Sequence, residues 1–287
     1  MADGQVVIRV AAGKLQPLQA RPPFWQYCLE LWERRHFIVT DARFKALRTT
    51  KDYRMWRLWL ILQPVMDVAF YGLLFGLILK TSRGIDNFVG FLILGVIFMR
   101  MPVALMSQGV MLIRNSRGMV QTFQFPRATL VLAHGLRHLI DNILPATIAV
   151  VVALAFQFGQ PLHLSILAVV PLFIMIHIFG CGIMFISARL TAEVPDTRAL
   201  INFFGQAWFF LSGVMFSIDR FVDHHLLHTI MTFNPGYQFL DVIRGSVLYG
   251  IPPAGQEWLV LFAWTFGIFV IGLVYFWRAE EKYVRLT

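Results

Sequence analysis

Cysteine and charge are both scarce in this chain. Its 287 residues include only 2 cysteines, which cannot make a disulfide framework. Charged residues are 14% of the total against 57% hydrophobic, too little polar surface for a soluble domain of this length. A GxxxxGK(S/T) loop is missing, so the chain does not bind ATP in the P-loop manner. Missing too are HExxH, CxxC and GxSxG, and with them the usual marks of zinc proteases, thiol metal sites and serine hydrolases. No acidic relay threads the apolar segments, which argues against a proton-coupled carrier. Strand-like alternation is absent, which excludes a transmembrane β-barrel. Positions 1–23 are polar and end in Pro22-Pro23, with no apolar core after a short basic start, so no cleaved signal peptide is expected.

What the chain has is apolar length. The hydrocarbon of a bilayer is about 30 Å thick and takes about 20 apolar residues per helix. Six segments reach that length, at about 55–79, 88–113, 128–158, 164–186, 199–218 and 258–277. Helices are expected, because an open sheet would leave backbone groups unpaired in lipid. The expected fold is an all-α integral membrane protein with six transmembrane helices.

Basic residues set the expected orientation, because Lys and Arg collect in loops that stay cytoplasmic. Nineteen of the 25 fall before position 58, in the loops after the second and fourth segments, or in 278–287; the alternate loops hold four. Both termini are therefore expected in the cytoplasm. The +9 net charge reads mainly as a topology signal, with no nucleic-acid partner implied, although the same surface suits anionic lipid.

Some stretches are not simple spans. Along 24–40, Trp25, Cys28, Leu29, Trp32 and His36 lie near one helical face, the pattern of an N-terminal interfacial amphipathic helix. It reads as a surface anchor or as a mobile gate beside a substrate entrance. Between the fifth and sixth segments, 219–257 holds two apolar pieces too short to cross, broken at Asn234-Pro235-Gly236. A re-entrant helical hairpin entering from outside is expected there, with Asn234, Pro235, Gly236 and Arg244 as its gate; a surface helical cap is the other reading. Irregular backbone at that depth needs protein or water around it. In the third segment His134, Arg137, His138 and Asp141 share one face. They suit pairing and snorkelling near the inner surface, or a polar lining for hydrophilic cargo; Asp67 and Arg100 are similarly isolated. Asp223, His224, His225 and His228 form a solvated loop or a zinc site, and no metal is expected without a fixed fourth ligand.

Four motifs recur in a telling order. Arg43, Lys45 and Arg48 lead into a first span with Trp56, Trp59 and Pro64. Phe125-Pro126-Arg127 opens the third segment. Pro195-Asp196-Thr197-Arg198 precedes an aromatic fifth segment with Trp208-Phe209-Phe210-Leu211-Ser212-Gly213. Asn234-Pro235 precedes Arg244 and Leu248-Tyr249-Gly250. Over about 30–280 this order resembles the ABC-2 type permease family, and within it the subunits that export O-antigen, capsule, teichoic acid or cell-wall galactan. Asp67 and the polar stripe of the third segment depart from that pattern.

The resemblance implies a half-transporter in the bacterial plasma (inner) membrane, paired with a second copy of itself. Two separate P-loop ATPase subunits would bind ATP and Mg, so no cofactor and no catalytic residue is expected in this chain. Coupling would fall to 114–127, through Arg114, Asn115, Ser116, Arg117, Phe123, Phe125, Pro126 and Arg127. The cargo would be a glycan on a polyprenyl diphosphate. Arg43, Lys45, Arg48, Lys51 and Arg54 could bind the headgroup through charge-assisted hydrogen bonds, or serve topology alone. Trp56, Trp59, Phe70, Tyr71, Phe203, Trp208 and Phe209 could line the channel for sugars. Residues 1–23 would be a disordered tail, 24–54 the interfacial or gate region, 55–277 the membrane domain and 278–287 a cytoplasmic tail. Other readings are an ABC-2 exporter of drugs or lipids, and a membrane enzyme acting on lipid-linked sugars with its site at 223–228.

Overall fold

A computed structural model describes residues 22–46, isolated positions between 62 and 85, and then 87–123, 125–157, 161–218 and 225–286. Among the described residues every regular element is helical. Two short helices open the fold, α1 (Phe24–Glu33) and α2 (Arg35–Lys45). The long α3 (Phe88–Gly109) follows, then the short α4 (Leu112–Asn115) and α5 (Arg117–Thr122), and the long α6 (Ala128–Ala155). A 3-10 turn (Leu164–Ala168) leads into α7 (Val169–Glu193) and α8 (Thr197–Leu211). The last four are α9 (His225–Thr232), α10 (Pro235–Leu248), α11 (Gly255–Trp277) and α12 (Glu280–Leu286).

Four stretches are long and apolar enough to cross a bilayer: Phe88–Gly109, Ala128–Ala155, Leu164–Glu193 and Gly255–Trp277. They correspond to the second, third, fourth and sixth expected spans. Most of 55–79 lies outside the described residues, including Trp56, Trp59, Asp67 and Tyr71. The fifth segment differs from expectation. Its helix stops at Leu211 rather than 218, and 15 residues rise only about 22 Å. The cause is a turn at Gly213, whose φ of 65° suits glycine. The second segment also ends early, at Gly109 rather than 113, because Met111 adopts a left-handed φ of 60°.

Packing begins at α3. Asn87 caps it by accepting from the Gly90 N–H at 2.9 Å, and its Nδ2 donates to the Ala153 carbonyl at 2.9 Å, joining the start of α3 to the end of α6. Two apolar clusters stack along α3 and α7. One gathers Phe98 and Met99 with Met175, Phe179, Phe239 and Ile243. The other gathers Leu105, Met184 and Phe185 with Tyr27, Phe276 and Tyr283. In lipid, such contacts rest on close packing rather than on exclusion of water. Backbones approach closely between α7 and α11, where a Cβ on Gly182 would stand 2.7 Å from the Ile268 carbonyl and the Phe269 nitrogen.

The Asn234 break is half-buried, with Phe233 beside it exposed. Asn234 caps α10 by accepting from the Gly236 N–H at 2.9 Å, with Pro235 in the first helical position where its missing N–H is harmless. Trp208 donates its indole N–H to Asn234 Oδ1 at 2.8 Å, and Asn234 Nδ2 donates to Ser212 Oγ at 3.0 Å. Gly236 packs on Met99, halfway along α3. From there α10 runs to the ends of its neighbours: Gln157 donates to the Leu248 carbonyl at 2.6 Å and Ser165 to the Ser246 carbonyl at 2.8 Å. The break that precedes α10 thus lies beside the middle of α3.

Arg244 holds that turn closed. It is 3% exposed. Its guanidinium donates to the carbonyls of Phe91 (3.1 Å), Gly213 (2.9 Å) and Val214 (2.9 Å), and sits 3.4 Å above the Phe91 ring. Arg137 and Asp141 pair at 3.4 Å, as their spacing predicts. His138 turns inward to face His177 across α6 and α7, with ring centroids 5.4 Å apart.

Candidate functional site

Both α1 and α12 lie at one end of the bundle. Phe24 meets Trp277 edge-on at 5.3 Å, and the Trp277 indole N–H donates to the Pro22 carbonyl at 3.1 Å. At this terminal end α3 and α6 are joined by an elbow made of α4 and α5. The elbow starts where Gly109 lets α3 pass close to Ser187 of α7. Met111 then reverses the chain, and its N–H donates to Thr191 Oγ1 at 2.9 Å. The Arg114 guanidinium donates twice to the Ala192 carbonyl, at 3.0 and 3.3 Å. Leu112, Ile113 and Val120 turn inward, and α5 rests on α12.

Thr191→Val keeps the side-chain shape and removes the acceptor for Met111. Leaving that N–H unpaired costs about 1–2 kcal/mol. Hydrogen exchange at 111–115 is expected to quicken while α7 stays protected; unchanged exchange there would show that the hydroxyl does not hold the turn.

The elbow ends in a buried polar node. Glu280 is 3% exposed. Its Oε1 accepts from the Arg127 backbone N–H at 2.8 Å and from Arg127 Nη1 at 3.2 Å. Its Oε2 accepts from the Tyr27 hydroxyl at 2.8 Å. The Tyr27 oxygen in turn accepts from the Ala128 N–H at 3.1 Å. Two of the unpaired N–H groups that begin α6 are thus satisfied, and a carboxylate stands at that positive helix end. Burial raises the Glu280 carboxyl above its ordinary range; Arg127 and the Tyr27 hydroxyl offset this in part. Burial, aided by Glu280, also raises the Tyr27 phenol.

The sign of the pH effect follows. Folded chain holds the Glu280 proton more readily than unfolded chain. That stabilisation is fully present below the unfolded value of about 4.3 and is lost as pH rises through the raised folded value. Wild type is expected to melt higher as pH falls from about 7 toward about 5, relative to Glu280→Gln. Parallel melting curves would contradict it.

The expected coupling residues divide into two groups. Asn115, Arg117 and Phe123 are exposed, with Phe123 at 62%, and form the elbow's outer face with Ser116 partly covered beside them. Arg114, Phe125, Pro126 and Arg127 point into the fold and form its foot. The expected headgroup residues are less united. Arg43 is exposed on α2, but Lys45 is held at 2.8 Å by Asp41, one turn earlier. Arg48, Lys51 and Arg54 lie outside the described residues. Among the aromatics, Phe70 and Phe203 are exposed, Phe203 at 66%. Phe209 is half-buried, and Trp208 faces Phe179 at 6.0 Å with its N–H committed to Asn234. Trp208 is therefore a packing residue here, not an open platform.

The single helix expected over 24–40 is broken at Arg34 into α1 and α2, which puts His36 on α2, and Cys28 is half-buried. Trp25 (74% exposed), Leu29 and Trp32 point outward, while Tyr27 and Leu31 are buried. His225 is exposed, and Asp223 and His224 lie outside the described residues. Among the described residues no three His, Cys, Asp or Glu side chains gather to hold a metal ion. Tyr27 and Glu280, the core of the node, were not legible as a pair; the sequence hint was an acidic pair, Glu280-Glu281, directly after an apolar span.

Comparison with known proteins fits this architecture. The chain is 20% identical over 206 residues to the O-antigen export system permease protein RfbA of Myxococcus xanthus, covering 72% of this chain and 78% of that relative. The family model of the ABC-2 type transporter matches residues 37–248. That match runs from α2 through the elbow and three of the four long apolar stretches to the end of α10, so this chain belongs to the ABC-2 type transporter family.

Proposed function

We propose that this chain is the membrane subunit of an ATP-driven exporter of a lipid-linked polysaccharide. The observation that carries the reading is the likeness, over 72% of the chain, to a permease named for O-antigen export. The missing nucleotide loop fits a subunit whose engine is a separate protein.

In this reading two copies pair in the bacterial inner membrane with both termini in the cytoplasm. Six segments cross, 55–79 and the region of α8 completing the four long ones. The α9–α10 pair enters from the outer side as a re-entrant gate. Two P-loop ATPases, which hold ATP and Mg, dock on the exposed elbow face. The exposed Phe123 and Arg117 offer them an aromatic anchor and a cation on the same elbow. Arg43, followed by Arg48, Lys51 and Arg54, offers bidentate donors to a diphosphate headgroup. Exposed aromatics such as Phe70 and Phe203 face the glycan.

Depleting the chain from its native host is expected to trap lipid-linked glycan inside and to strip it from the surface. Normal surface glycan would refute the cargo. Export of a small amphiphile by the purified complex would then favour a drug or lipid exporter.

A further inference from the structure

We propose that Glu280 is a positioning residue that carries movement of the elbow to α1. The proposal rests on the reading above that the elbow receives the push of an ATPase. Its own basis is the division of labour within one carboxylate. Oε1 is bound to Arg127, the last residue before α6 and the foot of the elbow. Oε2 is bound to Tyr27 on α1. The Tyr27 hydroxyl closes the circuit by accepting from Ala128, the first residue of α6. Three elements far apart in the chain therefore meet at four hydrogen bonds.

Burial makes this joint stiff. Tyr27 is fully buried and Glu280 nearly so, so water cannot replace a broken bond. Separating Arg127 from Tyr27 would strand a carboxylate or a hydroxyl in a poorly solvating interior. Both groups move together more readily than apart. On its opposite side α1 presents Trp25, Leu29 and Trp32 outward. Such an apolar, Trp-rich face seats at headgroup depth. A shift of the elbow thus displaces α1 against the lipid surface, where an anionic headgroup would arrive. Tyr27 and Glu280 both fall outside residues 37–248, whereas Arg127 and Ala128 lie within them, so the joint ties the part of the chain that the family match covers to both of its flanks.

The test uses the full chain in a nanodisc with its co-purified ATPase. Cys28→Ser and Leu29→Cys place one reactive thiol on the outer face of α1; Cys181 is buried and silent. A nitroxide at position 29 reports the change on trapping with ATP and vanadate. A clear change is expected with Tyr27 present. Tyr27→Phe removes only the hydroxyl and is expected to shrink that change about fivefold or more while ATP hydrolysis persists. Glu280→Gln, which keeps the shape, is expected to act alike. No change with Tyr27 present, or a full change in Tyr27→Phe, would overturn the proposal. Parallel loss of hydrolysis, response and melting temperature in both variants would also overturn it, since a mere helix cap predicts that. If the nitroxide responds but depletion leaves surface glycan normal, the linkage stands and the cargo reading falls.

Discussion

Gly272→Leu is expected to remove the folded protein from the membrane fraction. A Cβ at Gly272 would overlap the Gly182 carbonyl oxygen, which is backbone and has no rotamer to escape into. Gly182 is equally hemmed in by the backbone of α11 at Ile268 and Phe269. Any side chain at this crossing must drive α7 and α11 apart. Helices in lipid are held by close packing, so separation forfeits the contacts that associate them. Overpacking a tight site by a few carbons costs about 1–3 kcal/mol, and more where backbone must move. Four carbons against backbone should cost about 4 kcal/mol or more, a large share of a typical domain's stability. Because α7 serves both apolar clusters, the damage spreads. Size-exclusion chromatography in detergent with a thermal ramp checks it. A sharp peak with the wild-type midpoint would show that the crossing can open. Gly118 is the internal control, since nothing lies near its absent Cβ.

The second large effect is expected from Arg244→Lys. Lysine keeps the charge but presents a compact ammonium in place of a planar fork. It cannot serve the carbonyls of Phe91, Gly213 and Val214 together, nor stack on the Phe91 ring. Each buried carbonyl left without a donor costs about 1–3 kcal/mol, so about 3 kcal/mol in total is expected even with partial repair. The loss should concentrate at the turn after α8. Ser217→Cys, half-buried in wild type, should then react faster with a water-soluble maleimide. A lysine variant with unchanged melting and labelling would mean that the carbonyls find other donors. Gly95→Ala makes a related test, because its methyl would displace the same guanidinium. The sequence suggested Arg244 as part of a gate. The bonds it makes describe a staple holding α10 to α3 and to the turn, about which any gate must bend.

The long helices were legible because apolar length is a composition signal, and the start of α6 at Ala128 was read to the residue. The Arg137–Asp141 pair was legible from spacing. By the same rule Lys45 could have been assigned to Asp41 instead of to a phosphate. Other features had no local signal. Met111 in a left-handed turn looks like any apolar residue; what allows it is Thr191, 80 positions away. The early end of α8 was hidden because apolar residues continue past Gly213, and the turn is stabilised from α10. Two short helices occupy the region of the expected 114–127 loop, and their split into an exposed face and a buried foot depends on contacts with α7 and α12. Glu280 read as a tail residue because nothing near it in sequence is its partner.

The joint between Tyr27 and Glu280 also sets a timetable. The two residues are 253 positions apart. At about 5–20 residues per second, synthesis leaves α1 waiting roughly 13–50 s for its carboxylate. Until then α1 is held by the Ala128 N–H and its apolar neighbours alone, without the carboxylate bond. A chain that ends anywhere before position 280 therefore carries an α1 whose Tyr27 hydroxyl has no acceptor, a lesion that quality-control proteases could recognise without inspecting the membrane helices at all.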